Sequence, residues 1–203
     1  MLKKRLILGV LLFDEFELLD VCGPLEIFGR LNENFEIKLV AKDSGEVRST
    51  QSVKLVAEYS FDSDENYDIL LVPGGAGTRV LVNDAITLQW LTTNVPKATL
   101  VTTVCTGSAL LAKANLLDQI KATTNKAAFN WVVEQSSKVD WIKEARWVED
   151  GKFFTSSGVS AGMDMSLGVI SKLLGEKEAQ SIATFIEYEW HKDSTRDPFS
   201  KLY

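Results

Sequence analysis

A chain of 203 residues, 45% hydrophobic and 25% charged, has the length and composition of a globular domain with a substantial core. Its 22 Lys and Arg against 28 Asp and Glu give a formal net charge of −6, the wrong sign for a phosphate-backbone partner, so no nucleic acid is expected. Two cysteines, Cys22 and Cys105, and one histidine, His191, make neither a disulfide framework nor a metal-ligand cluster; a reducing cytoplasm and no metal are the expectations.

In chain order, a basic end precedes Leu6–Phe13, an apolar run of the kind buried on both faces of a sheet. This start is read as a strand rather than a leader, because the run stops at Asp14-Glu15 without a small-residue cleavage site, and it is too short to span a bilayer. No membrane is expected. Asp14–Leu31 places apolar residues at helical spacing, with Gly23-Pro24 expected to kink or restart the helix. Phe35–Ala41 alternates as a strand, and a hairpin region follows, with short strands near Val47 and over Val53–Ala57. Ile69–Val72 is a second buried strand that stops at the glycine-rich loop Pro73–Gly77.

Asp84 is placed to cap a helix reaching about Thr93, and Ala98–Val104 is a strand that runs into Cys105. The pattern then predicts a helix from Ser108 to Ala114, a turn over Asn115–Gln119, a strand at Lys121–Thr124 and a helix over Lys126–Gln135. Val139–Ile142, Arg146–Val148 and Phe153–Thr155 read as strands, the last two joined as a hairpin at Glu149-Asp150-Gly151. Ser156–Ser160 is a small-residue loop. Helices over Ala161–Leu174 and Lys177 to about Trp190 are separated by Gly175. Strands alternating with helices indicate an α/β domain with a mostly parallel central sheet, in which ligands bind beyond the carboxyl ends of the strands. Those ends carry Asp14–Asp20, Pro73–Gly77, Cys105–Gly107 and Ser156–Ser160.

Cys105 stands at a strand-to-helix turn, where the unpaired amides of the following helix favour a thiolate; the alternative is a small buried hydrophobe. A cysteine nucleophile needs a base or an acid beside it. His191 lies at the end of the last predicted helix and is read as exposed or at a pocket rim, so an acid takes that place. Asp20 is the candidate, on the ligand side of the sheet after the first strand; Glu15, Glu17 and Glu26 are rivals, and a helix-capping carboxylate is the alternative role for Asp20. Gly74-Gly75 and the Thr106 amide are candidate backbone donors to a developing negative charge. Pro73–Thr78 lacks the lysine of a phosphate loop and no dinucleotide fingerprint follows Phe13, so no cofactor is expected. Trp141 with Trp147, and Met163 with Met165, are assigned to core packing.

Leu12-Phe13-Asp14, Leu19-Asp20-Val21-Cys22-Gly23-Pro24, Val72-Pro73-Gly74-Gly75, Val104-Cys105-Thr106-Gly107-Ser108 and Ala122-Thr123-Thr124 together resemble the ThiJ/PfpI superfamily. An Asp ahead of the Gly23-Pro24 step resembles the isocyanide hydratase branch rather than the branch with a glutamate there. The resemblance implies a flavodoxin-like sandwich, with residues 1–203 forming a single domain of the class I glutamine amidotransferase-like kind. It further implies a homodimer with its pocket near the interface, and a small-molecule substrate. Position by position it matches Cys105 to the nucleophile, Asp20 to the acid, and Gly75 and Thr106 to the backbone donors, with Gly74, Gly158, Val159 and Asn125 lining the substrate pocket. The same branch holds the ligand domains of AraC-type regulators, whose helix-turn-helix has no counterpart here. One departure is Asn125-Lys126, where related sequences often carry a His followed by an aromatic residue. Two enzyme readings, an isocyanide hydratase or a glyoxalase- or amidase-like activity, stand beside a redox or ligand sensor that uses the same thiol.

Overall fold

The computed structural model describes residues 4–203. Three apolar runs make the centre of the sheet: β1 (Leu6–Leu11), β6 (Ile69–Val72) and β7 (Leu100–Thr103). The last two are buried throughout, as strands covered on both faces must be. Between β1 and β6 come α1 (Leu18–Gly29), β2 (Phe35–Ala41), the hairpin β3 (Gly45–Arg48) and β4 (Lys54–Ala57), and a two-residue strand β5 (Tyr59–Ser60). After β6 follow α2 (Thr78–Leu81) and α3 (Ala85–Asn94), and after β7 follow α4 (Gly107–Lys113), β8 (Lys121–Ala122), α5 (Phe129–Val133) and β9 (Asp140–Trp141). The chain closes with β10 (Trp147–Asp150), β11 (Phe153–Ser156), α6 (Ala161–Leu174), α7 (Glu176–Phe185) and a 3-10 turn at Pro198–Lys201.

The seven-stranded sheet has the order β10-β11-β7-β6-β1-β2-β5. All neighbours are parallel except the edge pair β10 and β11. Helix α1 packs against α6 and α6 against α7, whereas α2 and α3 pack against α4, and α4 against α5. These groups flank the sheet in a flavodoxin-like sandwich. Because β1 is hydrogen-bonded to both β2 and β6, the connections on its two sides diverge, and the loops after β1 and β6 meet at this switch point. Phe16 forms bridges to Ser49 and to Gly75, and the Glu17 amide donates to the Gly74 carbonyl at 2.8 Å.

Several expected elements shorten. The first helix begins only at Leu18 and continues through Pro24; the ring costs it the amide that would bond to the Asp20 carbonyl. Lys121–Ala122 pairs with β9 in a separate two-stranded ribbon. Helix α7 stops at Phe185 rather than Trp190, because Glu187 takes the left-handed conformation (φ 51°) and the Tyr188 amide bonds back to the Ala183 carbonyl at 2.8 Å. Helix α2 and strand β5 have no counterpart among the expected elements. Trp147 and Met165 are buried, and Trp141 and Met163 pack at the edge of the core.

The Asp84 cap forms as expected, its carboxylate accepting from the Thr87 amide at 3.1 Å and the Thr87 hydroxyl at 2.6 Å. Asp84→Ala should cost about 1 kcal/mol of stability, read as a lower urea midpoint with an unchanged slope.

Candidate active site

Cys105 stands two residues after the end of β7 and adopts a left-handed backbone, φ 56°. A non-glycine residue holds this conformation only where its surroundings enforce it. Here the Cys105 amide donates to the Ser157 carbonyl at 3.2 Å, and its carbonyl accepts from the Thr124 hydroxyl at 2.8 Å and the Ser108 hydroxyl at 3.2 Å. Close backbone approach needs glycines on the facing loops. A methyl group on Gly74 would lie 2.5 Å from the Thr106 nitrogen and 2.9 Å from Cys105 Cβ, and one on Gly107 would lie 2.2 Å from the Val72 carbonyl oxygen.

The structure brings Asp20 to this turn. It lies in the first turn of α1, wholly buried, and its Oδ2 accepts from the Gly74 amide at 2.9 Å. Asp20 Oδ1 is buried without a hydrogen-bond partner. Burial is the main force holding the Asp20 carboxyl well above the usual carboxylate range; the Gly74 amide and the Cys105 side chain oppose it, while the Glu17 charge adds to it. The rivals stand elsewhere: Glu15 is exposed, Glu26 is exposed and paired with Arg30 at 2.6 Å, and Glu17 accepts from the Gln51 amide group at 2.6 Å. A capping role for Asp20 is not what the structure has, since the residue before α1 is Glu17.

The electrostatics at sulfur run against the thiolate expected from the following helix. Burial and the nearby Asp20 push the Cys105 thiol up, outweighing the Thr106 amide and hydroxyl and the Val159 amide, which pull it down. The magnitudes explain the sign. A helix N-terminus is worth about 0.3–1 kcal/mol, less than one pKa unit, and α4 has only 7 residues, whereas full burial moves a group by about 3–5 units.

Gly75 also differs from the expected donor. Its amide donates to Thr106 Oγ1 at 3.1 Å, and its φ of 126° admits little but glycine. Thr78 completes this brace, its hydroxyl donating to the Gly75 carbonyl at 2.7 Å and lying 3.0 Å from Thr106 Oγ1. The Thr106 amide acts on the Cys105 sulfur and pulls the thiol down. Val159 is near the sulfur through its amide and holds φ 46°, a strained conformation for a β-branched residue. Gly158 faces Asn125, whose Nδ2 would lie 2.1 Å from an added methyl, and Asn125 Oδ1 accepts from the Ala128 amide at 2.9 Å. His191 is exposed and is tied down through its backbone amide, which donates to Asp164 Oδ1 at 2.8 Å. Sequence reasoning missed Thr78 and Ser157, whose types carry no catalytic signal.

A cavity of about 420 Å³ opens beyond β1 and β2, between Phe13, Val47, Phe61 and Leu81. Gly77 of the glycine loop lines it, whereas Cys105 and Asp20 do not. Among the described residues no group of three or more His, Cys, Asp or Glu could hold a metal, and no helix is long and apolar enough to cross a membrane.

A parallel sheet with a strained cysteine after one strand and a buried acid from the helix after another defines the class, and residues 7–172 match the DJ-1/PfpI family. The chain belongs to that family. It is 34% identical over 181 residues to an isonitrile hydratase from Pseudomonas putida, covering 89% of this chain and 78% of that one. It is also 26% identical over 188 residues to the HTH-type transcriptional regulator GbdR of Pseudomonas aeruginosa, covering 90% of this chain but 50% of the regulator. Among solved structures, a ThiJ/PfpI family protein from Pseudomonas syringae superposes with a TM-score of 0.81 at 28% identity, over 93% of this chain and 77% of that one. Drosophila melanogaster DJ-1beta shares the fold, with a TM-score of 0.80 at 17% identity over 92% of this chain and the whole of that one.

Proposed function

We propose that the protein is a cofactor-independent, cysteine-dependent hydratase that converts an isonitrile to the N-substituted formamide, and that residues 1–203 act as one domain in a reducing cytoplasm. The observation that carries this reading is the buried Asp20 carboxyl acting on the Cys105 side chain, with the Gly74 amide donating to its Oδ2. The similarity to an isonitrile hydratase supports the choice of substrate class. In the reaction the Cys105 sulfur adds to the terminal carbon of R–N≡C while that carbon takes up a proton, giving the thioimidate R–N=CH–S–Cys. Asp20, whose carboxyl burial biases toward the protonated form, relays protons between thiol, substrate and water. Water then adds to the same carbon, the C–S bond breaks, the thiol recovers its proton, and R–NH–CHO leaves. Substrate and water combine with no atoms left over. The Thr106 and Val159 amides stabilise charge at the sulfur, and Gly74, Gly158 and Asn125 shape the space beside it.

Leu19, on the helix that carries Asp20, and Val53 and Val56, on the hairpin, are exposed apolar side chains, and we assign this region to contact with a second copy. Light scattering should give twice the 22.5 kDa chain mass.

The test is to supply alkyl and aryl isonitriles to the purified protein and follow formamide by NMR. Catalytic formation supports the proposal. No turnover across both series would overturn it and favour a ligand-binding sensor, a reading to which the similarity to a regulator lends weight. Turnover of reactive carbonyls or amides instead would point to a glyoxalase- or amidase-like enzyme.

A further inference from the structure

Lys126 is 3% exposed. A buried ammonium must use its donors. This one gives them to Thr123 Oγ1 at 2.7 Å, the Ala145 carbonyl at 2.7 Å and the Thr124 carbonyl at 3.3 Å. Thr124 in turn donates its hydroxyl to the Cys105 carbonyl at 2.8 Å, one of the two side-chain bonds that hold the nucleophile's left-handed backbone. Lys126 is therefore two links from the cysteine turn.

Its counter-charge comes from the far end of the chain. Asp197, 2% exposed, places Oδ2 at 3.9 Å from Lys126 Nζ, and that oxygen has no hydrogen-bond partner. Asp197 Oδ1 lies 4.0 Å from Arg146, which is paired with buried Asp164 at 2.7 Å and reaches Ser160 Oγ at 3.5 Å. The segment after α7 is fastened to the same cluster. The His191 amide donates to Asp164 Oδ1, the Arg146 amide donates to the Ser194 carbonyl at 2.8 Å, and the Asp197 amide donates to the Glu144 carbonyl at 2.6 Å. The cluster so joins the closing segment to both walls of the site, residues 123–125 and 157–160.

We propose that Lys126 is a positioning residue for Cys105, clamping Thr123 and Thr124 behind the cysteine turn with Asp197 of the closing segment as its counter-ion. The charged groups facing it are Asp197, Glu144, Arg146 and Lys143. The groups acting on the Cys105 sulfur are the Asp20 carboxyl, by its charge, and Thr106 and Val159, by hydrogen bonds. An effect of Lys126 on the thiol therefore passes through the position of the turn. Burial also lowers the Lys126 pKa to about 8, against the pull of Asp197 and Glu144, so the clamp loses charge in mildly alkaline solution.

The deepest consequence, an effect on turnover, rests on the isonitrile reading, but the test reads the thiol itself. Lys126→Met and the double variant Lys126→Met/Asp197→Leu are compared with the unaltered protein for the rate and pH midpoint of Cys105 alkylation by iodoacetamide, followed by mass spectrometry of the Cys105 peptide to exclude Cys22. The double variant removes both buried charges together and should fold even where Lys126→Met does not. We expect both variants to alkylate Cys105 about tenfold faster with a displaced pH midpoint, and kcat for an isonitrile to fall at least about tenfold with KM little changed. A folded variant that alkylates Cys105 at the original rate and midpoint overturns the proposal, whatever its melting temperature. A shifted thiol profile in a protein that turns over no isonitrile upholds the clamp and overturns only the proposed reaction.

Discussion

Cys105→Ala is expected to lose isonitrile turnover altogether, and Asp20→Asn to lose about 10²–10⁴-fold in kcat while its Cys105 becomes easier to alkylate. The opposite signs follow from the two jobs of the carboxyl group. As a proton carrier it is needed for turnover, and an amide cannot replace it. Once ionised, its negative charge beside the sulfur pushes the thiol up, so its removal moves the alkylation midpoint to lower pH. A capping or purely structural carboxylate would give a stability loss without this split. The folded protein also gains a distinctive pH response. Because the Asp20 carboxyl is held above its ordinary value of 3.8, the folded state keeps a proton that the unfolded chain has released. Stability relative to Asp20→Asn should therefore be greatest below that value and decline as pH rises through the folded carboxyl's own titration, as urea unfolding over a pH series would show. A thiol that alkylates more slowly in Asp20→Asn would contradict the assignment.

Gly75→Ala should be the most damaging single methyl addition in the glycine loop. Its Cβ would lie 2.3 Å from the Glu15 carbonyl oxygen, 2.5 Å from the Glu17 nitrogen and 2.7 Å from the Phe16 carbonyl carbon. All three are backbone atoms that no rotamer change can move. Left-handed strain of about 1–3 kcal/mol and overpacking of about 1–3 kcal/mol together predict a loss near 3 kcal/mol, measured by urea denaturation. Gly151→Ala separates the two costs. Gly151 has φ 58° and open space around it, so only the conformational part, about 1–2 kcal/mol, should appear. Equal losses at the two positions would show that the contact between the loops after β1 and β6 contributes nothing.

The elements most legible in the sequence are those whose cause is local. Leu6–Leu11 and Ile69–Val72 are apolar runs, the second with the glycine loop beyond it, and Leu100–Thr103 leads toward the cysteine turn; these became the three central strands. Asp84 announced its helix because a cap acts over three residues. The α7 stop was invisible, since Tyr188 bonds to Ala183 only after Glu187 turns left-handed. Helix α2 was hidden because 4 residues are too few to show a helical period.

Legible from the residues alone were the α/β order, the strand-to-turn position of Cys105, and the family motifs that singled out Asp20. Those signals reside in periodicity and short spacing. Long-range packing set the surroundings of Asp20, by placing it against a glycine amide 54 residues away. It also decided that the Gly75 amide braces Thr106, and that Lys126 meets a carboxylate from the end of the chain. It set the direction of the thiol's pKa as well, because desolvation depends on everything packed around a group, and a helix end offering less than one unit cannot offset full burial.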